Sequence, residues 1–382
     1  MFNKNNILIL CKVVDNFGDI GVVYRLARAL SDLNPSLELT LVVSNLESFK
    51  ALAPQIDSSK QIQNFLYKNT VWKVVDWNLK TENSDLGLLE KSGFPFSIIL
   101  ECFQCGRPDW LENILFSPDF NSEVQILQID YLTAEDYAEE FHLLKSGTRK
   151  ANIKKRFFMP GFTEKTGGLI INEKQKTETV KLSVSDSQFS IFYFAYEDDC
   201  TAVVKSISEF QEIMQKKNPE FCVTVYLASG KSSSPFENAC KKSRASFLIE
   251  KVPFLPQQEF DEFILKMDFL FVRGEDSLAR ACLSSIPFVW QAYKQDENYQ
   301  LVKVNALLSR MEVFFKDEEF EPVKKFWQSY NDYETQEDSQ SLTEMLLDTA
   351  DKKNTEGFKN FAAKLYQNGN LASHLLEFIG SL

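Results

Sequence analysis

Long apolar runs are missing from this chain: no stretch of its 382 residues approaches the ~18 that a membrane-spanning helix needs. The start, Met1-Phe2-Asn3-Lys4-Asn5-Asn6, leads into a short apolar run. Lys12 and Asp15 follow it without a small-residue cleavage pattern, so a buried strand is expected there and no membrane association. Histidine is almost absent, with only His142 and His374. The seven cysteines are odd in number and scattered, which fits reduced thiols and a cytoplasmic location rather than a disulfide framework. One pair, Cys102-Phe103-Gln104-Cys105, has the CxxC spacing but lacks the second pair that a structural zinc site requires. No Gly-x-Ser-x-Gly elbow and no Walker loop occurs. Positive charge is also short: the formal net charge is −12, and no Lys/Arg stripe alternates with aromatics, which argues against nucleic acid as a partner. A phosphate-bearing small molecule is not excluded, because a few local donors outweigh distant screened charges.

What the chain does have is enough apolar material, 44% with 33 Phe, for more than one core, and its length exceeds that of a single typical domain. The run from Ile7 to Val14, broken only by Lys12, reads as a parallel strand covered on both faces. Val22, Leu26, Ala29 and Leu30 then fall at helical spacing, and Leu37 to Val43 reads as a second strand, completing a βαβ unit. Further strands are expected at 71–75, 96–100 and 124–129. From Ile171 to Gln188 the sequence turns polar, as an inter-domain connection would, and alternation restarts at Phe189 and runs to about Met311. The expected organisation is α/β: a Rossmann-like domain over 1–180, a second, doubly wound one over 181–355, and terminal helices from 356 to 382 that cross back to the first. The acidic, aromatic stretch Asp317 to Asp338 reads as a surface connection or short helices of the second domain, with a solvated charged face.

Two loops carry the chemistry. A nucleotide-binding Rossmann domain places a Gly-rich turn after its first strand, where phosphate approaches a helix N-terminus. Here that place reads Asp15-Asn16-Phe17-Gly18-Asp19-Ile20-Gly21, and its two carboxylates repel phosphate at short range. They suit a cation, a metal or a proton to be removed. A metal has no histidine near this loop to support it, although an Asp-only magnesium site stays open. The plain alternative is that Asp15 or Asp19 caps the following helix. The second loop is Phe269-Leu270-Phe271-Val272-Arg273-Gly274-Glu275-Asp276-Ser277, a buried strand feeding a helix. Arg273 at the strand end and the helix-opening amides can hold a diphosphate, or Asp276 and Ser277 can be ordinary caps. Phe194, Tyr196, Phe254, Phe260 and Tyr293 are expected on the ligand side of the same sheet, where aromatics can stack a base, with Gln257 offering it a donor and an acceptor.

These loops belong to a wider pattern. Val13-Val14-Asp15-Asn16-Phe17-Gly18-Asp19-Ile20-Gly21-Val22 with Arg25-Leu26-Ala27-Arg28, Tyr131-Leu132-Thr133-Ala134-Glu135, Phe158-Met159-Pro160-Gly161-Phe162-Thr163 with Thr166-Gly167-Gly168, Val272 to Ser277, and Pro287-Phe288-Val289-Trp290 run collinearly. The chain thereby resembles the EarP-type protein-arginine rhamnosyltransferases. It departs from their pattern around Asp130, at Met159 and at Cys102 to Cys105. The resemblance implies a GT-B architecture, two Rossmann-like domains facing each other across a cleft. It also implies inverting transfer of L-rhamnose from dTDP-β-L-rhamnose to an arginine of bacterial translation elongation factor P, with no metal cofactor. By the same resemblance Asp19 is the general base, Asp15 helps hold the acceptor guanidinium, and Glu275 is a third essential carboxylate whose role stays open. Arg273, Asp276 and Ser277 then bind the nucleotide sugar, and Phe194, Tyr196, Phe254, Gln257, Phe260 and Tyr293 form the thymidine pocket. The competing readings are a GT-B transferase or epimerase with a small-molecule acceptor, and a non-catalytic module that binds a nucleotide sugar or the elongation factor.

Overall fold

The apolar run after Asn6 forms the central strand of a sheet, buried from Ile7 to Cys11 because neighbouring strands and helices cover it on every side. This computed structural model describes residues 4–14, 17–80, 94–171, 187–334 and 338–382. The chain divides into two compact units, 1–172 with 368–382, and 173–367. Among the described residues no helix is long and apolar enough to cross a membrane.

In the first unit the strands are β1 (Asn6–Cys11), β2 (Glu38–Val43), β3 (Ile62–Tyr67), β4 (Thr70–Asp76), β5 (Ile98–Cys102), β6 (Val124–Ile129), β7 (Lys145–Ser146) and β8 (Ile153–Phe158). They lie in the order β3-β4-β2-β1-β5-β6-β8-β7, parallel except for the β3–β4 and β7–β8 pairs. β1 is shorter than its apolar run suggests. The Val13 amide turns to Ser44 Oγ (2.8 Å) instead of continuing the ladder. The helix Gly18–Leu33 buries Ile20, Val23, Leu26, Ala27 and Leu30 against this sheet and packs on the terminal helix Leu371–Ser381.

The second unit holds β9 (Gln188–Tyr193), β10 (Cys222–Ala228), β11 (Leu248–Val252), β12 (Phe269–Arg273) and β13 (Phe288–Gln291), all parallel, ordered β11-β10-β9-β12-β13. Its core is built from phenylalanine: Phe189, Phe210, Phe221, Phe236, Phe269 and Phe271 are fully buried. The helix Ser233–Ser243, hidden by its lysines and serines, joins β10 to β11. Of the two readings of the acidic stretch, the helical one holds, with a buried face in place of a wholly solvated one. The stretch opens with the helix Asp317–Asn331, whose carboxylates fill the first turn while Phe320, Val323, Phe326, Trp327 and Tyr330 form its buried face.

The return to the first unit starts at Asn368, later than the expected residue 356. The helix Thr355–Gln367 stays with the second unit, packed on the helix Glu275–Ser284, with Phe358 against Phe288 and the Tyr366 hydroxyl donating to the Leu283 carbonyl. The polar connection expected over 171–188, and with it the boundary at 180, lies almost wholly outside the described residues.

The returning segment is received by the Thr166-Gly167-Gly168 motif. Leu371 donates its amide to the Leu169 carbonyl (2.8 Å), Asn368 Nδ2 donates to the Phe162 carbonyl (2.8 Å), and the Asn370 side chain bonds both the amide and the carbonyl of Ile171. Gly168 is left-handed (φ +80°), and a Cβ there would stand 2.6 Å from the Gly369 carbonyl oxygen. Gly168→Ala is expected to destabilise the first unit by about 3 kcal/mol, from backbone strain plus overpacking. Denaturant unfolding of the full chain measures this, and an unchanged midpoint would show that the seam yields. The two histidines also belong to this region: His142 Nδ1 accepts the Met159 amide (3.2 Å), and His374 Nδ1 lies 3.0 Å from the Gly167 carbonyl. Burial and the neighbouring His374 push His142 down to about 4, so it is a neutral structural acceptor at neutral pH.

Candidate active site

In an open parallel sheet the loops that carry chemistry lie at the carboxyl ends of the strands, beside the point where strand order reverses. In the first unit that point falls between β1 and β5. The helix after β1 begins at Gly18 with Phe17 as its N-cap, so Gly18 and Gly21 sit within the helix rather than in the turn before it. Asp19 is therefore inside the first turn and is not the N-cap residue. Its side chain turns back to the strand end, where Oδ2 accepts the Val14 amide (2.7 Å). Oδ1 accepts a hydrogen bond from the Tyr131 hydroxyl (3.3 Å), which comes from the loop after β6. The carboxylate is only 4% exposed. Asp15 lies outside the described residues.

Burial raises the Cys11 thiol well above its ordinary range, and the charge of Asp19 adds to that. Cys105 is pushed up to about 11, mainly by burial, and donates to the Leu10 carbonyl. Cys102 is raised too, again chiefly by burial. Burial thus disfavours the thiolate form of all three. Among the described residues no group of three His, Cys, Asp or Glu side chains is placed to hold a metal.

The second unit reverses strand order between β9 and β12. Arg273 ends β12, and Gly274 turns the chain into the helix Glu275–Ser284 with φ +69°, a conformation that asks for glycine. Gly274 is itself the N-cap, so Asp276 and Ser277 are first-turn residues and not caps, and Glu275 is the first residue of the helix. The Arg273 guanidinium lies over two rings, 4.8 Å from the Phe194 centroid and 4.6 Å from that of Tyr196. Among the described residues its Nε–H is buried without a hydrogen-bond partner. A buried cationic donor with an open valence beside a helix N-terminus is suited to an anion.

The aromatics expected to form a base pocket are thus partly arranged around Arg273. Phe260 meets Phe192, Phe192 stacks on Phe194, and Tyr196 meets Tyr293 edge-on at 5.6 Å. Tyr293 is 69% exposed and Phe254 52%, leaving both rings accessible. Phe254 and Gln257 follow β11 at the same edge of the sheet, and the helix that Gln257 opens packs on the helix Glu275–Ser284. Sequence reasoning missed Gln291, which is 2% exposed: its Oε1 accepts the Tyr196 amide (2.6 Å) and its Nε2 donates to Asp198 (2.8 Å), fixing the loop that carries Tyr196. It also gave no role to Tyr131 or Phe103. Only an aromatic placed just after a strand of the same sheet could have pointed to them.

Two doubly wound units, each with its polar chemistry at the carboxyl edge of the sheet, define the GT-B fold shared by glycosyltransferases and sugar-nucleotide epimerases. The chain has this fold in common with the solved structure that explains EarP-mediated arginine glycosylation of translation elongation factor EF-P (TM-score 0.58, 18% identity, 98% of this chain and 99% of that one). It shares it also with a putative UDP-N-acetylglucosamine 2-epimerase from Listeria monocytogenes (TM-score 0.55, 11% identity, 99% and 96%).

The chain belongs to the family described as Elongation-Factor P (EF-P) rhamnosyltransferase EarP, which it matches over residues 7–380. It is therefore an enzyme, a glycosyltransferase. Similar relatives are the protein-arginine rhamnosyltransferases of Neisseria meningitidis (29% identical over 326 residues, 81% of this chain and 80% of the relative) and of Shewanella oneidensis (28% over 369 residues, 85% and 89%).

Proposed function

We propose that this enzyme transfers L-rhamnose from dTDP-β-L-rhamnose to an arginine side chain of translation elongation factor P, with inversion at the anomeric carbon, in the cytoplasm where that factor works. The observation that carries the reading is the opposite character of two corresponding places. The strand-order reversal of the first unit presents a buried carboxylate, Asp19, and that of the second an arginine with an open donor, Arg273. A guanidinium suits the first and a nucleoside diphosphate the second. The family and its curated relatives support the choice of arginine and rhamnose.

A guanidinium nitrogen is a poor nucleophile, because its lone pairs are delocalised and its pKa exceeds about 12. Carboxylates can grip the planar group, aim one nitrogen at the anomeric carbon and take its proton as the carbon–nitrogen bond forms. Asp19 is the base in this scheme. The Val14 amide and the Tyr131 hydroxyl, both donating to Asp19, hold its carboxylate in a fixed orientation. Asp15 would share the grip. As the nitrogen attacks opposite the leaving group, the bond to the diphosphate breaks, and its charge is met by Arg273 and the amides opening the helix at Glu275, Asp276 and Ser277. These donors supply the positive charge, so the reaction as proposed calls for no metal. Phe194, Tyr196, Phe254, Gln257, Phe260 and Tyr293 are proposed to hold the thymidine end. Of these, Phe194 and Tyr196 also brace Arg273.

Incubating the purified protein with dTDP-rhamnose and elongation factor P should add the mass of one deoxyhexose to the factor, read by intact-protein mass spectrometry. Donor consumption without that adduct would point to a small-molecule acceptor. Binding of either partner with no turnover would make the chain a binding module.

A further inference from the structure

The loop after β6 reaches Asp19 and the loop after β5 packs on it, and the scheme above gives neither a task. Past the end of β5, Phe103 and Gln104 are both left-handed, with φ of 59° and 53°. A phenylalanine seldom adopts this backbone, and keeps it only where the surroundings impose it. Two bonds join this loop to the one after β6, and a third orders the latter. The Phe103 amide donates to the Ile129 carbonyl (2.7 Å), Gln104 Nε2 donates to Asp130 Oδ2 (3.0 Å), and Asp130 Oδ1 accepts the Tyr131 amide (2.8 Å). Asp130 thereby locks the two loops together, and the rings of Phe103 and Tyr131 lie stacked, 4.7 Å apart and 21° from parallel. From this stack the Tyr131 hydroxyl reaches Asp19 Oδ1, yet the residue keeps 39% of its surface exposed.

An accessible aromatic ring whose hydroxyl is bonded to a buried carboxylate suits a flat cation. The ring face attracts the delocalised charge while the carboxylate takes its N–H bonds in plane. An ammonium, compact and strongly hydrated, gains less from such a face. We infer that Tyr131, backed by Phe103, is a positioning residue for Asp19 and supplies the face on which the planar cationic acceptor group lies. The inference rests on the transfer reaction proposed above.

The wild-type reaction with dTDP-rhamnose and elongation factor P is the reference, and no transfer there would remove the reaction itself. Given transfer, Tyr131→Phe keeps the stack and loses the hydroxyl. Its kcat should fall about tenfold, with the KM of acceptor and of donor within about twofold of wild type. Tyr131→Leu loses the face as well, and its acceptor KM should rise about tenfold above that of Tyr131→Phe, with Tyr131→Trp restoring most of it. A wild-type kcat in Tyr131→Phe would overturn the positioning role. Equal acceptor KM in the Leu and Phe variants would overturn the face. A parallel rise in donor KM in both would mark a general disturbance and overturn the whole inference. Should Tyr131→Leu fail to fold, Phe103→Leu, which leaves Tyr131 unbacked, should raise acceptor KM alone, and an unchanged value would count against the face.

Discussion

Asp19→Asn is expected to lower kcat for sugar transfer by about 10³-fold, the range lost with a general base, while dTDP affinity stays within about twofold. The amide has the carboxylate's shape, so its oxygen can still accept the Val14 amide that ties the loop after β1 to the helix Gly18–Leu33. What it cannot do is take a proton, or neutralise the charge of an incoming guanidinium. The loss therefore falls on the chemical step and on acceptor binding, and leaves the second unit untouched. Steady-state transfer to elongation factor P together with a dTDP titration of the same variant separates the two. Near-normal turnover would end the assignment of Asp19 as the base. A collapse of dTDP affinity would mean that the carboxylate shapes the donor site, contrary to the division of labour drawn from the two units.

The part proposed for Asp19 comes from the sequence because the loop breaks a rule. Where a Rossmann strand normally turns on glycine toward phosphate, this chain has carboxylates, and charge alone sends the phosphate elsewhere. Arg273 is legible for the complementary reason, a cation at the end of an apolar strand before a helix-opening glycine. The βαβ frame reads as well, since β1, β2, β6, β9 and β12 are predominantly apolar segments of strand length. What stayed hidden depends on distant partners. β8 carries Lys154, Lys155 and Arg156 in its middle, and reads as strand only once Lys155 is seen to reach the buried Glu101 and Arg156 the Leu143 carbonyl. Tyr131 stands 112 residues from Asp19, and the two meet only because β5 and β6 lie in turn beside β1, an order that periodicity along the chain does not encode. The aromatics around Arg273 were legible as residues at strand ends, but not as faces that hold the guanidinium.

Those faces shape the second large prediction. Arg273→Ala should weaken dTDP binding about 10²-fold, the scale of a charge-assisted contact to phosphate removed from a partly buried site. Alanine also frees Phe194 and Tyr196, whose rings lie 4.8 and 4.6 Å from the guanidinium carbon, so the two rings lose the group that spaces them. Arg273→Lys separates these effects. It keeps a positive charge but has neither the flat group that lies between the rings nor the fork that can bind two phosphate oxygens at once. If charge alone matters, lysine restores nearly all the affinity. If the stacked geometry matters, lysine should stay about tenfold weaker than arginine, with the deficit greater for dTDP than for thymidine, which has no diphosphate to hold. Calorimetric titration of dTDP and thymidine into the three proteins makes the comparison. An unaltered dTDP titration in Arg273→Ala would remove this residue from the phosphate site. An equal loss for thymidine would move its contribution from the diphosphate to the base, through the rings it holds apart.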